Sequence, residues 1–232
     1  MLDCLQNTMY RVLLNVPRTC PIPALCWDLG GIQMRYRVIM NKLIFIWHLD
    51  NLEDSALAKQ VYEVQKSQYL PGLVQECTEW IRNLNLPNLF KLKITKPRWK
   101  VLVKAAIKKE NEDDLRKKMM RLEKLKRSEL MNEKCEVKDY VRKLSAHDAR
   151  TIFLKRTSMT RYVKMNYMHD VDYVKDMWRC DSCEVNIDSM SHVLWCPSYV
   201  ELRRDKNLDN DQDLARYLHN VMMIRSKLNL QK

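Results

Sequence analysis

Cys180, Cys183, His192 and Cys196 are spaced C-x2-C-x8-H-x3-C, an interval pattern that constrains this chain more than any other it contains. Two cysteines three positions apart can wrap one tight turn with both sulfurs facing a common point, and two residues four apart share a face of a helical turn. Four soft or borderline donors then converge on a tetrahedron, which is the geometry of structural Zn²⁺; with every position filled, no place is left for an activated water. The residues between the ligands fit the same scheme. Glu184 to Asp188 can form the return of a small loop, Asp188 or Ser189 can cap the turn that carries His192, and Pro197 stops that turn just past the last ligand. The bland alternative, three small core cysteines and a satisfied histidine, explains the residue types but not their joint spacing.

The remainder of the chain reads as mainly α. Among 232 residues there are only three glycines, Gly30, Gly31 and Gly72, and no Asn-Gly or Asp-Gly between alternating apolar runs, so a sheet would lack its turns. The expected architecture is a multi-helix array followed by a small zinc-stabilised CCHC domain. Its three regions are a helical segment over 1–95, a basic helical linker or hairpin over 96–145, and a zinc-binding region over 146–232.

Apolar periodicity places the helices. Ile22 to Leu29 predicts a short helix that Gly30 and Gly31 end with positive φ. Tyr36, Ile39, Met40, Leu43, Ile46 and Trp47 mark the core stripe of a longer one. Ser55 can cap a helix running to about Lys66, and Pro71-Gly72 resets the chain before another from Leu73 to about Asn83. Pro97 suits a first helical turn, and Trp99, Leu102, Val103, Ala106 and Ile107 follow at helical spacing; Asn111 can cap a second helix of a hairpin, with Glu112, Asp113 and Asp114 in its first turn. Ser145-Ala146-His147-Asp148 resembles a capping box for a helix through about Lys155, which makes His147 a first-turn surface residue. A last amphipathic helix, with Leu214, Tyr217, Leu218, Val221 and Met222 on one side, starts near Asp211.

Charge points to a polyanionic partner. The net charge is +12, and residues 91–127 hold eleven Lys and four Arg against five acidic residues, so nearly all of the surplus lies in one stretch. Lys100, Lys104 and Lys108 recur about every 6 Å along a helix of ~1.5 Å rise per residue, a ridge that a phosphate backbone can follow. Lys96, Arg98, Lys109, Arg116, Lys117, Lys118 and Arg121 extend the same basic region, and Arg179 borders the metal motif. Over 158–179, Tyr162, Tyr167, Tyr173 and Trp178 alternate with basic residues, a mixture that can stack unpaired bases or pack around the zinc loop. The rival expectation is a protein-docking module in which Trp99, Ile107, Leu115, Met119 and Leu122 form an exposed apolar surface.

Several classes are excluded or disfavoured. Eight cysteines scattered over a chain of this length, three of them in the metal motif, do not form a disulfide framework; Cys4, Cys20, Cys26, Cys77 and Cys135 read as apolar fillers in a reducing compartment. The N-terminus has Asp3 and no basic n-region, Arg11 interrupts its apolar stretch, and no apolar run approaches the roughly 20 residues of a membrane helix. An intracellular location, cytoplasmic or nuclear, is expected, with no membrane and no small-molecule substrate as partner. Three glycines cannot build a phosphate loop, no His-Glu-x-x-His occurs, and the serines lack a nucleophile elbow.

The chain resembles the C-terminal part of a non-LTR (LINE-type) retrotransposon reverse transcriptase. The resemblance rests on Pro17-Arg18-Thr19, Pro21 to Leu25, Trp27-Asp28-Leu29-Gly30, Tyr36-Arg37, Asp54-Ser55, Leu57-Ala58-Lys59 and Leu70 to Leu73. Further along it rests on Ala149 to Phe153, Arg156-Thr157, Asn166-Tyr167 and the Cys/His quartet closed by Cys196-Pro197. It implies a region that follows the polymerase palm and thumb, with the four Cys/His residues as ligands in a domain that helps hold template RNA or target DNA during target-primed reverse transcription. The family's polymerase chemistry needs carboxylates that gather divalent cations, and this chain has no Tyr/Phe-Ala-Asp-Asp. Its Asp113-Asp114 is explained by a helix start, Asp170-Val171-Asp172 has no metal-site context, and the residues after Cys196 are too few for an endonuclease. The expectation is a non-catalytic, truncated or decayed product that begins at an internal methionine, with RNA or DNA, and also the missing polymerase domains, as partners.

Overall fold

The structure, a computed structural model, describes residues 2–68, 71–87, 94–126, 129–157, 159 and 179–229. It is mainly helical, as the glycine-poor, turn-poor sequence requires. The helices are α1 (Leu2–Leu13), α2 (Ile22–Asp28), α3 (Met34–Asp50), α4 (Leu57–Ser67), α5 (Leu73–Asn83) and α6 (Lys96–Met120), then the short α7 (Glu123–Lys126) and α8 (Asp139–Lys143). They continue with α9 (Ala146–Arg156), α10 (Met190–Trp195), α11 (Val200–Arg203) and α12 (Asp211–Asn229), with 3₁₀ turns at Glu129–Asn132 and Pro197–Tyr199. Among the described residues the only strand-like pairings are two isolated antiparallel bridges, Leu29 with Val137 and Arg179 with Ile187.

The chain forms two compact units, Met1–Gln6 with Ile32–Asp114, and Asn7–Gly31 with Leu115–Lys232. In the first unit α3, α4 and α5 pack together, and their core is Tyr36, Ile39, Leu43, Ile46, Leu49, Tyr62, Val74, Cys77 and Ile81, joined by Trp99, Val103 and Ile107 of α6. Two indoles of this unit satisfy their N–H on backbone carbonyls. Trp99 Nε1 donates to the Leu43 carbonyl at 2.7 Å, and Trp47 Nε1 to the Ile94 carbonyl at 2.7 Å.

The start of α3 explains Asn111. A helix leaves its first backbone N–H groups without partners inside the helix. Here they are met from elsewhere: Gln33 N donates to Asn111 Oδ1 at 3.0 Å, Met34 N to Gln6 Oε1 at 2.9 Å, and Arg35 N to Asp3 Oδ1 at 3.2 Å. Asn111 therefore caps α3, not a helix of its own, and α6 runs unbroken from Lys96 to Met120 where the sequence suggested a hairpin. Asp114 likewise serves α3, accepting from Gln33 Nε2 at 3.0 Å and pairing with Arg35. Ser55 does not cap α4, whose N-cap is Ala56 with no side-chain bond.

In the second unit the core gathers Leu14, Cys20, Ala24 to Trp27, Leu115, Met119, Leu125, Leu130, Tyr140, Ile152, Phe153, Leu214, Tyr217, Leu218 and Val221, and α9 packs on α12. Ser145 caps α9: its Oγ accepts from Asp148 N at 3.2 Å and donates to Asp148 Oδ2 at 2.8 Å, so the serine half of the expected capping box is formed. His147 is exposed, as expected, and lies 3.1 Å from His219 Nδ1 through its Nε2. Gly30 takes φ +59°, and a Cβ on it would sit 2.7 Å from Val137 N; Gly31 lies against the Tyr10 hydroxyl, where a Cβ would be 2.2 Å away. Only the first of this pair uses positive φ; the second is small because Tyr10 crosses it.

A buried ion network holds α2 to α9. Asp28 is fully buried, and Arg156 donates to it from Nε (2.9 Å, Oδ2) and Nη2 (3.3 Å, Oδ1), while Tyr140 OH donates to Oδ2 at 2.7 Å. The same guanidinium reaches Glu133 at 3.0 and 2.6 Å, and Lys138 pairs with Glu133 at 2.8 Å. Asp28 and Arg156 are 128 residues apart in the chain.

Candidate metal centre

The four expected ligands meet. One ligand atom from each of Cys180, Cys183, His192 and Cys196 lies within 4.8 Å of all the others, so the cluster can hold a metal ion. Cys180 Sγ is 3.9 Å from Cys196 Sγ, and Cys183 Sγ is 3.3 Å from His192 Nε2. A tetrahedron with ~2.3 Å Zn–S bonds has S···S edges of about 3.8 Å, so the sulfur separation already suits a tetrahedral ion. Cys180 and Cys196 are fully buried; Cys183 and His192 are half-buried.

Local structure places each donor. The Cys180–Cys183 turn closes through Glu184 N donating to the Cys180 carbonyl at 2.8 Å and Cys180 N donating to the Asn186 carbonyl at 2.9 Å; Glu184 takes φ +55° to make the reversal. Ser189, rather than Asp188, caps α10: its Oγ accepts from His192 N at 3.1 Å, which sets the helical turn that aims the imidazole. Cys196 ends that helix, and Pro197 opens the 3₁₀ turn behind it. Burial alone would raise the Cys183 thiol, but backbone N–H groups of Asn186 and Val185 point at it and bring it below its ordinary value. Burial pushes Cys196 up to about 11, and burial lowers His192, with Asp188 opposing and Arg225 adding to the shift. Lowering the imidazole favours its neutral form and N–H donors favour the Cys183 thiolate, the forms in which these groups ligate metal, whereas burial of Cys196 works against its thiolate.

Sequence reasoning missed three residues of this centre: Arg225, Tyr199 and Arg203. Arg225 of α12 is buried, and it donates from Nη2 to Cys180 Sγ at 3.3 Å, from Nη1 to Asp188 Oδ2 at 3.0 Å and from Nε to Tyr199 OH at 2.9 Å. Burial opposes the charged guanidinium, but Asp188 and Tyr199 hold its pKa above the ordinary value. Arg203 Nη1 donates to the Cys196 carbonyl at 2.8 Å, and its guanidinium lies 6.0 Å from the ring centroid of the exposed Trp195. A charged residue on the apolar side of an amphipathic helix was the clue available for Arg225, which follows Leu214, Leu218 and Val221 at helical spacing.

The basic residues fall into two groups. Lys96, Arg98, Lys100, Lys104, Lys108 and Lys109 are exposed on α6, which buries Trp99, Val103 and Ile107, with Lys96 Nζ 5.7 Å from the Trp47 ring and Lys108 3.8 Å from Glu112. Lys117 and Arg121 are also exposed, whereas Lys118 is half-buried. Arg116 is committed to the fold instead: it donates to the Met131 carbonyl and stacks 5.0 Å from the Trp27 ring, because it lies on the inward side of α6 next to Leu115. Arg179 is exposed, its Nη1 donating to the Glu184 carbonyl at 3.4 Å. The docking surface expected from Trp99, Ile107, Leu115, Met119 and Leu122 is not a surface. The first four are buried core residues and only Leu122 is exposed, since a stripe at this spacing on a globular protein's helix packs inward. Tyr162, Tyr167, Tyr173, Trp178 and the Asp170-Val171-Asp172 pair lie outside the described residues.

No described helix is long and apolar enough to cross a membrane. Comparison with protein-family models, with curated proteins and with solved structures finds no match in any of the three.

Proposed function

We propose that the Cys/His cluster is a structural Zn²⁺ centre and that the chain binds RNA or DNA without catalysing a reaction, in the manner of the C-terminal part of a non-LTR retrotransposon reverse transcriptase. The observation that carries the reading is the convergence of Cys180, Cys183, His192 and Cys196, three sulfurs and one ring nitrogen, with nothing else needed to complete a tetrahedron. Cys180, Cys183, His192 and Cys196 would hold the ion, and the ion would supply folding free energy rather than a Lewis acid for chemistry. The phosphate contacts are assigned to the solvent-facing lysines of α6, chiefly Lys100, Lys104 and Lys108. Binding of a labelled single-stranded oligonucleotide, followed by anisotropy across salt concentrations, tests this. The expected log–log slope is about −0.7 per phosphate contacted, and it should shrink in a Lys100→Glu/Lys104→Glu/Lys108→Glu variant. A salt-independent signal, or equal slopes in the two proteins, sinks the reading.

A second reading, docking on protein such as polymerase domains, is favoured by one observation. Helix α1 exposes Leu2, Leu5, Met9, Val12 and Leu13, apolar residues at helical spacing. Capture of a palm–thumb fragment of such a polymerase by the wild-type chain, lost in Leu5→Asp/Met9→Asp while oligonucleotide binding is kept, supports this second reading. Capture that both proteins show equally removes it.

A further inference from the structure

Arg225 poses a problem that its own helix does not solve. It sits on the buried stripe of α12, only 5% exposed, and an arginine there must satisfy its N–H groups and its charge inside the protein. Asp188, Tyr199 and Cys180, to which it bonds, all belong to the metal-binding segment. Its fork grips Asp188, itself 2% exposed, with Nη1 at 3.0 Å from Oδ2 and Nη2 at 2.8 Å from Oδ1. Asp188 precedes the cap residue Ser189 that orients His192. Nε bonds Tyr199 OH, which in turn bonds Ser182 between the first two cysteines. Nη2 also reaches Cys180 Sγ at 3.3 Å. One side chain of α12 thus touches the loop at its first ligand, beside its third and behind its fourth.

Charge gives this contact a direction. With thiols protonated, the buried group formed by Arg225, Asp188 and the four ligand side chains is close to neutral. Three thiolates around one divalent cation carry a net charge of −1, so metal loading places a negative charge beside Cys180, and the N–H of Arg225 is the cation aimed at it. A hydrogen bond from a guanidinium to an anionic acceptor is roughly twice as strong as one to a neutral acceptor. Loading therefore tightens the Arg225 contact. By reciprocity of linked equilibria, whatever holds Arg225 in place tightens the metal.

Resting on the metal reading above, we propose that Arg225 acts as the charge partner of the metal–thiolate cluster, so that metal binding and the docking of helix α12 on residues 180–199 are one coupled equilibrium. Helix α12 is then part of the metal centre, and a chain lacking it would hold the ion weakly.

The test uses the full chain with Zn²⁺ in competition with a chromophoric chelator, and Co²⁺ as a spectroscopic probe of the ligand set. Arg225→Met should weaken Zn²⁺ by 10- to 100-fold, the range for removing a group that orients a metal ligand, while the tetrahedral Co²⁺ bands remain because the four ligands are intact. Since Arg225→Met leaves Asp188 buried without its fork, Arg225→Met/Asp188→Asn removes both charges and should show the same weakening. An affinity within twofold of wild type in the double variant, at unchanged far-ultraviolet circular dichroism, overturns the proposal and leaves the metal reading standing. Hydrogen exchange on the wild-type chain provides the check that needs no variant: amides of α12 should exchange more slowly with Zn²⁺ than without, and identical exchange in the two states overturns the coupling. Wild-type chain that takes up neither Zn²⁺ nor Co²⁺ overturns the metal reading and this one together.

Discussion

Replacing Arg156 by Met should destabilise the second unit by about 3–5 kcal/mol, whereas Asp28→Asn should cost only about 1 kcal/mol, although the two residues are partners in the same pair. The asymmetry follows from where the charges lie. Asp28 has no exposed surface, and burial already raises its pKa against the pull of Arg156 and Tyr140. Without Arg156 the carboxylate keeps only the Tyr140 hydroxyl at 2.7 Å and is left as a buried, uncompensated charge. Without the Asp28 charge, Arg156 retains two hydrogen bonds to Glu133 at 3.0 and 2.6 Å, and the desolvation cost of the buried carboxylate disappears. The pH dependence has a definite sign. In Arg156→Met the folded-state pKa of Asp28 rises further above its unfolded value of about 3.9, so the folded state binds the proton more tightly. The defect should therefore be smaller at pH 5 than at pH 8. Urea denaturation at the two pH values, with hydrogen exchange at α9 amides to localise the unfolding, measures both effects. Equal losses in the two variants, or a defect that grows on acidification, would refute the reasoning.

Four further outcomes are expected. On the proposed Zn²⁺ reading, Cys183→Ser should lower bound zinc, read by elemental analysis, well below one ion per chain and speed amide exchange over 179–203, because a loop with few buried apolar residues would depend on such an ion to fold. Trp99→Ala should cost the first unit about 3–5 kcal/mol in chemical denaturation, from a fully buried indole and its 2.7 Å bond to the Leu43 carbonyl. Gly30→Ala should destabilise by more than about 1 kcal/mol, combining a φ of +59° with a Cβ only 2.7 Å from Val137 N, and a thermal midpoint equal to wild type would contradict it. Glu133, which burial raises but Arg156 and Lys138 hold down at about 2, contributes stability that is full above its unfolded pKa of about 4.3 and lost as pH falls toward 2. Glu133→Gln should flatten the wild-type stability profile across that window, by less than about 1 kcal/mol because the carboxylate is partly exposed.

The helices that the sequence revealed are those whose signals are local. α3, α5, α9 and α12 announce themselves by a stripe with a stop or cap at one end, and the metal quartet by spacing alone. The features that stayed hidden depend on residues far apart in the chain. Asn111 looks like a cap for the acidic turn Glu112-Asp113-Asp114, and the competing use, capping Gln33 from 78 residues away, leaves no trace in local pattern. Ser55 fails as a cap for a related reason, since the chain enters α4 two residues later and Ala56 takes the boundary position without a side-chain bond. Arg116 reads as one more phosphate-binding cation until Trp27 and the Met131 carbonyl are seen to occupy it. Trp99, Ile107, Leu115 and Met119 could serve equally as a core or as a docking stripe; periodicity fixes that they share a side of a helix but not the element that covers it.

Charge and metal are separated along this sequence, and the separation bears on how the proposed activity works. The exposed lysines and arginine of α6 from Lys96 to Lys109 lie in the first unit, while the Cys/His cluster lies in the second. Around the cluster, Arg179, Arg203, Arg204 and Lys206 are matched by Asp181, Glu184, Asp188, Glu201 and Asp205, so the metal-binding segment offers no net positive field. Of those cations, Arg203 is tied to the Cys196 carbonyl and Arg204 lies 3.1 Å from Glu201. The structural ion proposed for such surroundings would contribute by fixing backbone and side chains, not by attracting phosphate. Loss of the metal and loss of the α6 lysines should accordingly differ in kind: the first changes exchange rates and folding over 179–203 with little change in the salt slope per complex formed, and the second changes the salt slope with the fold intact.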